Sequence, residues 1–209
     1  RRQEEATRQY ELQALSSQIN PHFLYNTLDT IIWMAEFQDS QRVVQVTKSL
    51  ATYFRLALNQ GRDLISLSDE INHVRQYLFI QKQRYGDKLE YEIAEEPDFD
   101  NLVLPKLVLQ PLVENALYHG IKEKEGQGHI KVFVQKQDTG LVIRIEDDGV
   151  GFQAAGDSSQ SQLKCGGVGL QNVDQRLKLH FGDNYQMKIN SVPSKGTTVE
   201  IYINKIETS

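Results

Sequence analysis

The chain has 209 residues, enough for one sizeable core or two small ones, and its charged and apolar fractions are those of an ordinary soluble protein. Its net charge of −5 lacks the basic excess of a dedicated nucleic-acid binder, so no nucleic-acid partner is expected. The single cysteine, Cys165, excludes an internal disulfide, no apolar run reaches membrane-spanning length, and the charged start Arg1-Arg2-Gln3-Glu4-Glu5 is not a signal peptide.

Residues 1–61 read as helix. Leu12, Leu15 and Ile19 give a short apolar spacing before Pro21, which is expected to kink the helix. Helix geometry then puts Leu24, Leu28, Ile31 and Ala35 on one face, with His22, Asn26, Asp29 and Trp33 opposite. A histidine on the wet side of a core helix is available to react, although most exposed polar residues are only solvated. After the polar break Gln38-Asp39-Ser40, Val43, Val46, Leu50, Phe54 and Ala57 line a second helix, ended by Gly61. The hairpin so formed has little core of its own, so its remaining apolar surface is expected to pack on a second copy, making a homodimer. Because the chain opens in mid-helix without a capping residue, a longer parent protein is expected.

From residue 62 the pattern changes. Ser68 is the expected cap of a helix with Asp69 and Glu70 in its first turn, continued by Ile71, Val74, Leu78 and Tyr85. Leu89, Tyr91 and Ile93 alternate as a strand, and residues 107–121 read as helix. Strands near 129–137 and 141–147 flank the turn Asp138-Thr139-Gly140. A polar loop, about 152–167, leads to a helix over 168–180, and strands at 185–191 and 197–204 flank Pro193-Ser194-Lys195-Gly196. The predicted class is α+β, a mixed sheet with helices on one face, behind an N-terminal helical hairpin. The expected domains are 1–61 and 62–209.

Three segments of the second domain have compositions that folding alone does not require. In Glu114-Asn115-Ala116-Leu117-Tyr118-His119-Gly120, Asn115 and His119 share a helix face, and an amide oxygen is a hard ligand suited to Mg²⁺. Asp147-Asp148-Gly149-Val150-Gly151 follows a strand; glycines let backbone approach a ligand, and a carboxylate can accept from an exocyclic amine. Gly166-Gly167-Val168-Gly169-Leu170 opens a helix, where backbone N–H groups and the helix dipole favour phosphate. Each alone could be an ordinary turn or helix end. The glycine run is neither a Walker motif nor a dinucleotide fingerprint.

In this order the three resemble the N, G1 and G2 boxes of the Bergerat ATP-binding fold, and Gly196-Thr197-Thr198 resembles the final box. With QINPHFLYNTL and LQPLVENALYHGI, residues 10 to 204 resemble the LytS/YesM class of sensor histidine kinases. The resemblance implies ATP and Mg²⁺, with His22 as phosphoacceptor, Asn115 as Mg²⁺ ligand and Asp147 reading the adenine amine. It implies Gly149 and Gly151 shaping that pocket, Gly167, Gly169 and Leu170 near the phosphates, and Thr197 closing the adenine side. His119 and Lys122 are candidate phosphate contacts, and Lys122 or Lys124 would substitute for a lysine the family carries where Tyr118 stands. Phe23 follows the histidine where many histidine kinases have an acid. Asn26 is therefore the candidate for orienting the imidazole and Glu114 the candidate base. The resemblance further implies a response regulator as partner, and an upstream sensor and membrane anchor beyond this chain, which would place these residues on the cytoplasmic side of a bacterial membrane. A gyrase-type ATPase would need a glutamate where Pro111 stands; a nucleotide-binding scaffold without catalysis is the other reading.

Overall fold

The computed structural model describes residues 20–58, 62–95, 102–137, 140–153 and 167–204. It opens with helix α1 (Pro21–Glu36) and helix α2 (Ser40–Leu58). Asn20 is extended, and its side-chain oxygen accepts the backbone N–H groups of His22 and Phe23 at 3.1 and 3.3 Å. Pro21 therefore occupies the first helical position, where a missing N–H costs nothing. The described helix thus starts at the proline; the segment that the expected kink would join to it lies outside the described residues. The Leu12–Leu15–Ile19 pattern and the Gly61 stop lie outside the described residues.

The buried face of α1 also differs from the expected one. Phe23, Thr27 and Met34 are buried, whereas Leu28 and Ala35 are exposed. The helix carries more apolar side chains than one face can bury, so spacing alone does not choose among them. Aromatic packing does: the Phe23 ring lies 4.8 Å from that of Tyr53 and 5.2 Å from that of Tyr77. On α2, Val46, Leu50 and Ala57 are buried as their spacing predicts, with Val43 and Phe54 half-buried.

There follow β1 (Leu64–Ser66), α3 (Leu67–Tyr85), β2 (Leu89–Glu95), β3 (Val103–Pro105), α4 (Gln110–Asn115), β4 (Gly128–Gln137), β5 (Gly140–Asp147), α5 (Gly167–Phe181), β6 (Tyr185–Val192) and β7 (Gly196–Asn204). The short antiparallel pair β1–β3 was not expected. Ser66, not Ser68, caps α3, accepting the Asp69 N–H at 3.1 Å. Glu70 in the first turn points inward and is fully buried. Its carboxylate accepts the backbone N–H groups of Leu107, Val108 and Leu109 at 2.9, 2.7 and 2.8 Å. This clasp holds a turn in which Leu107 has φ 58°, so the helix expected over 107–121 begins only at Gln110. From there α4 covers Gln110–Asn115 and continues without a break into a π-helical turn over Ala116–Ile121, where the Lys122 N–H reaches back five residues to the Leu117 carbonyl at 2.8 Å.

The main sheet has the order β2-β4-β5-β7-β6, parallel at β2–β4 and antiparallel elsewhere. Alternate residues of its strands, among them Val132, Ile143, Ile145, Val199 and Ile201, are buried beneath the helices. The other face carries Lys131, Arg144, Lys188 and Glu200 toward solvent. The apolar cluster runs without interruption from Phe23 and Tyr53 of the hairpin through Tyr77 of α3 to the sheet. Among the described residues no helix is long and apolar enough to cross a membrane.

Candidate functional site

Strand register decides the site's central acid. Ile143 and Ile145 of β5 face inward, so two residues on Asp147 must too; it pairs with Ile130 on one side and Thr197 on the other. A carboxylate at an inward position is desolvated, and burial pushes Asp147 up to about 6, although the backbone N–H groups of Gly149 and Thr197 oppose the shift. Its Oδ1 accepts the Gly149 N–H at 2.9 Å. Asp148, one residue on, points the other way. It accepts the His129 N–H at 2.7 Å and pairs with the Lys124 ammonium at 3.0 Å. Burial raises the Asp148 carboxyl, but these contacts outweigh it and leave it below the usual range. Two adjacent acids thus have separate tasks, one facing the interior and one clasping the edge of the sheet.

Glycines bring backbone against backbone around Asp147. A Cβ on Gly149 would lie 2.3 Å from the Gly120 carbonyl carbon, and one on Gly120 would lie 2.6 Å from Asp147 Oδ1. Gly151 has φ 60°, and a Cβ there would meet the Val192 carbonyl oxygen at 2.1 Å. Side chains at Gly120 or Gly149 would prise the end of the π-helical turn from the β5 loop, and one at Gly151 would push that loop off the end of β6.

A cavity of about 200 Å³ lies over Asp147, lined by Leu112, Asn115, Ala116, His119, Gly120, Ile145, Asp147, Gly151, Phe152, Gly167, Leu170, Thr197 and Val199. Seven of the residues singled out in the sequence are among them: Asn115, His119, Asp147, Gly151, Gly167, Leu170 and Thr197. Gly149 supports the floor from behind, and Gly169 follows in the first turn of α5 without lining the cavity. Lys122 does not line it either; its ammonium lies over the Tyr118 ring, 5.9 Å from the centroid. Lys124 is engaged by Asp148. Leu112, Ala116, Ile145, Phe152 and Val199 supply apolar walls suited to a flat ring, and the sequence reading missed all five. Leu112 and Ala116 were within reach, since they extend the helical face of Asn115 and His119 at the same three-and-four spacing.

The Asn115 amide nitrogen is buried without a hydrogen-bond partner, so this side chain is not satisfied by the protein alone. Among the described residues no group of three His, Cys, Asp or Glu side chains could hold a metal ion. One amide oxygen without a protein cage fits Mg²⁺, which is held mainly through phosphates and water.

Two family models cover most of the chain. The histidine kinase model matches residues 10–89, and the model for histidine kinase-, DNA gyrase B- and HSP90-like ATPases matches residues 101–206. The chain belongs to the histidine kinase family. It is 33% identical to the sensor histidine kinase YesM of Bacillus subtilis over 92% of this chain and 33% of that protein. It is 32% identical to the sensor protein LytS of Bacillus anthracis over 93% of this chain and 34% of that protein. The chain thus spans about a third of the length of these curated relatives. The histidine kinase domain of the blue-light activated histidine kinase of Erythrobacter litoralis shares the fold, with a TM-score of 0.52 at 17% identity over 92% of both chains.

For a histidine kinase the other half of the site is the acceptor. His22 is exposed in the first turn of α1, as expected, although the face that is buried is the one carrying Phe23, Thr27 and Met34. Asn26, one turn on, is half-buried, and its amide nitrogen is buried without a partner. Glu114 does not line the cavity. Its carboxylate accepts from the Gln110 amide at 2.8 Å, and burial raises its pKa against that bond. Gln110 also donates to the Tyr53 hydroxyl of α2 at 2.7 Å. Gln110 entered the sequence reading only within LQPLVENALYHGI, and Tyr53 did not enter it at all.

Proposed function

We propose that this chain is the kinase region of a two-component sensor: it transfers the γ-phosphoryl group of ATP to His22, from which the group passes to an aspartate of a response regulator. The observation that carries this reading is one cavity gathering Asn115, Asp147, Gly151, Gly167, Leu170 and Thr197 from separate segments, in a chain whose exposed histidine opens a core-packed helix. Asp147 would accept the adenine amine, with Gly149 and Gly151 letting the base approach and Thr197 closing that side. Backbone N–H groups at Gly167 and Gly169, at the N-terminus of α5, would face the phosphates, with His119 at the cavity wall. Lys122 would reach them only by leaving the Tyr118 ring. Asn115 would hold Mg²⁺, which when bound neutralises charge on the phosphate oxygens.

The neutral imidazole of His22 attacks the γ-phosphorus. A nitrogen–phosphorus bond forms as the bond to the ADP oxygen breaks, and the proton on the other ring nitrogen goes to Glu114. The orphaned Asn26 amide is a donor suited to orienting the ring. Pro111 stands where a gyrase-type ATPase needs its base, which argues against hydrolysis as the main activity. In this reading residues 1–61 form the dimerising and phosphoacceptor hairpin and 62–209 the catalytic domain. A sensor upstream of Arg1 would anchor the parent protein in a bacterial membrane, with this region in the cytoplasm.

Incubation with γ-labelled ATP and Mg²⁺ tests the proposal. Acid-labile, base-stable label that disappears in His22→Ala supports the kinase. Free phosphate without protein label supports an ATPase, and nucleotide binding with neither supports a scaffold. A Glu114→Gln variant that labels His22 at the full rate removes Glu114 as the base.

A further inference from the structure

Gln110 opens α4, and its amide nitrogen makes two hydrogen bonds, to Tyr53 Oη at 2.7 Å and to Glu114 Oε1 at 2.8 Å. An ionised carboxylate only accepts, so the nitrogen rather than the oxygen must face Glu114, and both amide hydrogens are then in use. Tyr53 sits on α2, buried, with its ring 4.8 Å from that of Phe23, the residue beside His22. The same ring stacks on His73 of α3 at 4.3 Å, but both His73 ring nitrogens are buried without a partner. The stack therefore adds packing and no directional tie, which is left to the tyrosine hydroxyl. Glu114 immediately precedes Asn115, which lines the cavity. One amide thus joins the hairpin that carries the phosphoacceptor to the short helix that carries the nucleotide site.

We propose that Gln110 is a positioning residue for phosphoryl transfer: bonded to Tyr53 and Glu114 at once, it registers the His22 hairpin against α4 and aims the Glu114 carboxylate at the hairpin side. The inference rests on the kinase reading above and adds to it the pair of side chains that align donor and acceptor. Neither Gln110 nor Tyr53 lines the cavity, so their loss acts on transfer and not on nucleotide capture. Alignment of reacting groups is worth orders of magnitude in rate, and a tie of this kind is lost when either partner is removed.

The test follows His22 phosphorylation of the 209-residue chain at varied Mg-ATP, with melting curves to verify folding. Tyr53→Phe keeps the ring and its packing and removes only the hydroxyl; Gln110→Leu removes the amide. We expect Tyr53→Phe to lower the rate at saturating Mg-ATP about ten-fold with KM for ATP within about two-fold, and the double variant to be no slower than the slower single one. A Tyr53→Phe rate equal to or above wild type, a rise in KM that accounts for the loss, or losses that multiply would overturn the proposal. Should Gln110→Leu not fold, Tyr53→Phe alone decides. A wild-type chain that leaves His22 unlabelled would instead strike the kinase reading itself.

Discussion

Asp147 is an acid that folding does not favour. Burial, the main cause, pushes its carboxyl up to about 6 from an ordinary value of 3.8. The sign follows: a raised carboxyl pKa contributes stability below pH 3.8 that is lost as pH rises through about 6. At neutral pH the ionised group therefore costs on the order of 3 kcal/mol relative to an unfolded chain. Asp147→Asn is expected to stabilise the nucleotide-free protein at pH 7.5 by roughly 1–3 kcal/mol, read by thermal or urea unfolding. The same variant should bind ATP about ten-fold more weakly, because a neutral amide is the poorer acceptor for the adenine amine. A variant that is less stable and binds equally well would contradict both halves. At this scale Asp147, Asn115 and Thr197 were legible as residue types in order. The resemblance also singled out Asp147 over Asp148, and the register of β5 supplies the physical reason that it is the one facing the cavity.

Elements hold the site through contacts distant in sequence. Glu70 on α3 fixes the turn at 107–109, and that turn decides where α4, and with it Asn115, begins. Glu70→Ala would leave three backbone donors without their acceptor. The expected loss of stability is about 3 kcal/mol or more, measured by urea denaturation. Nucleotide affinity should fall with it, since Asn115 sits at the end of α4. From residue 62 on the sequence pattern placed the longer helices and all five strands of the main sheet, because their alternation and three-to-four spacing are strong, but it missed the three-residue strands β1 and β3. It began the helix that ends at 121 three residues early, at 107, because apolar spacing cannot register a positive φ at Leu107 or a carboxylate arriving from residue 70. It chose Ser68 over Ser66 as the cap because both precede the same acidic turn.

Across the whole molecule, α1 has two apolar faces, and among the described residues one of them packs into the core. Phe23 and Met34 enter the core, while Tyr25, Leu28, Ile32, Trp33 and Phe37 remain exposed, the last three at 56, 62 and 68%. Tyr25, Leu28 and Ile32 follow helical spacing, and the Trp33 and Phe37 rings lie 4.6 Å apart beside them. A stripe of this size on a helix of a sensor-kinase relative fits the proposed homodimer. Sedimentation equilibrium of the wild-type chain is expected to give a dimer, and Ile32→Asp a shift toward monomer with the fold retained. A monomeric wild type would remove the stripe as the dimer surface.

The order of boxes along the chain, the exposed histidine after a proline and the α+β pattern were determined by sequence alone. They depend on residue type and on short-range periodicity, which a chain carries without folding. The positive-φ turn at Leu107, the burial of Phe23 in place of Leu28 and the Tyr53–Gln110–Glu114 bridge were decided only by tertiary structure. Each depends on which of several locally equivalent surfaces meets a partner far along the chain, and only the packed core makes that choice.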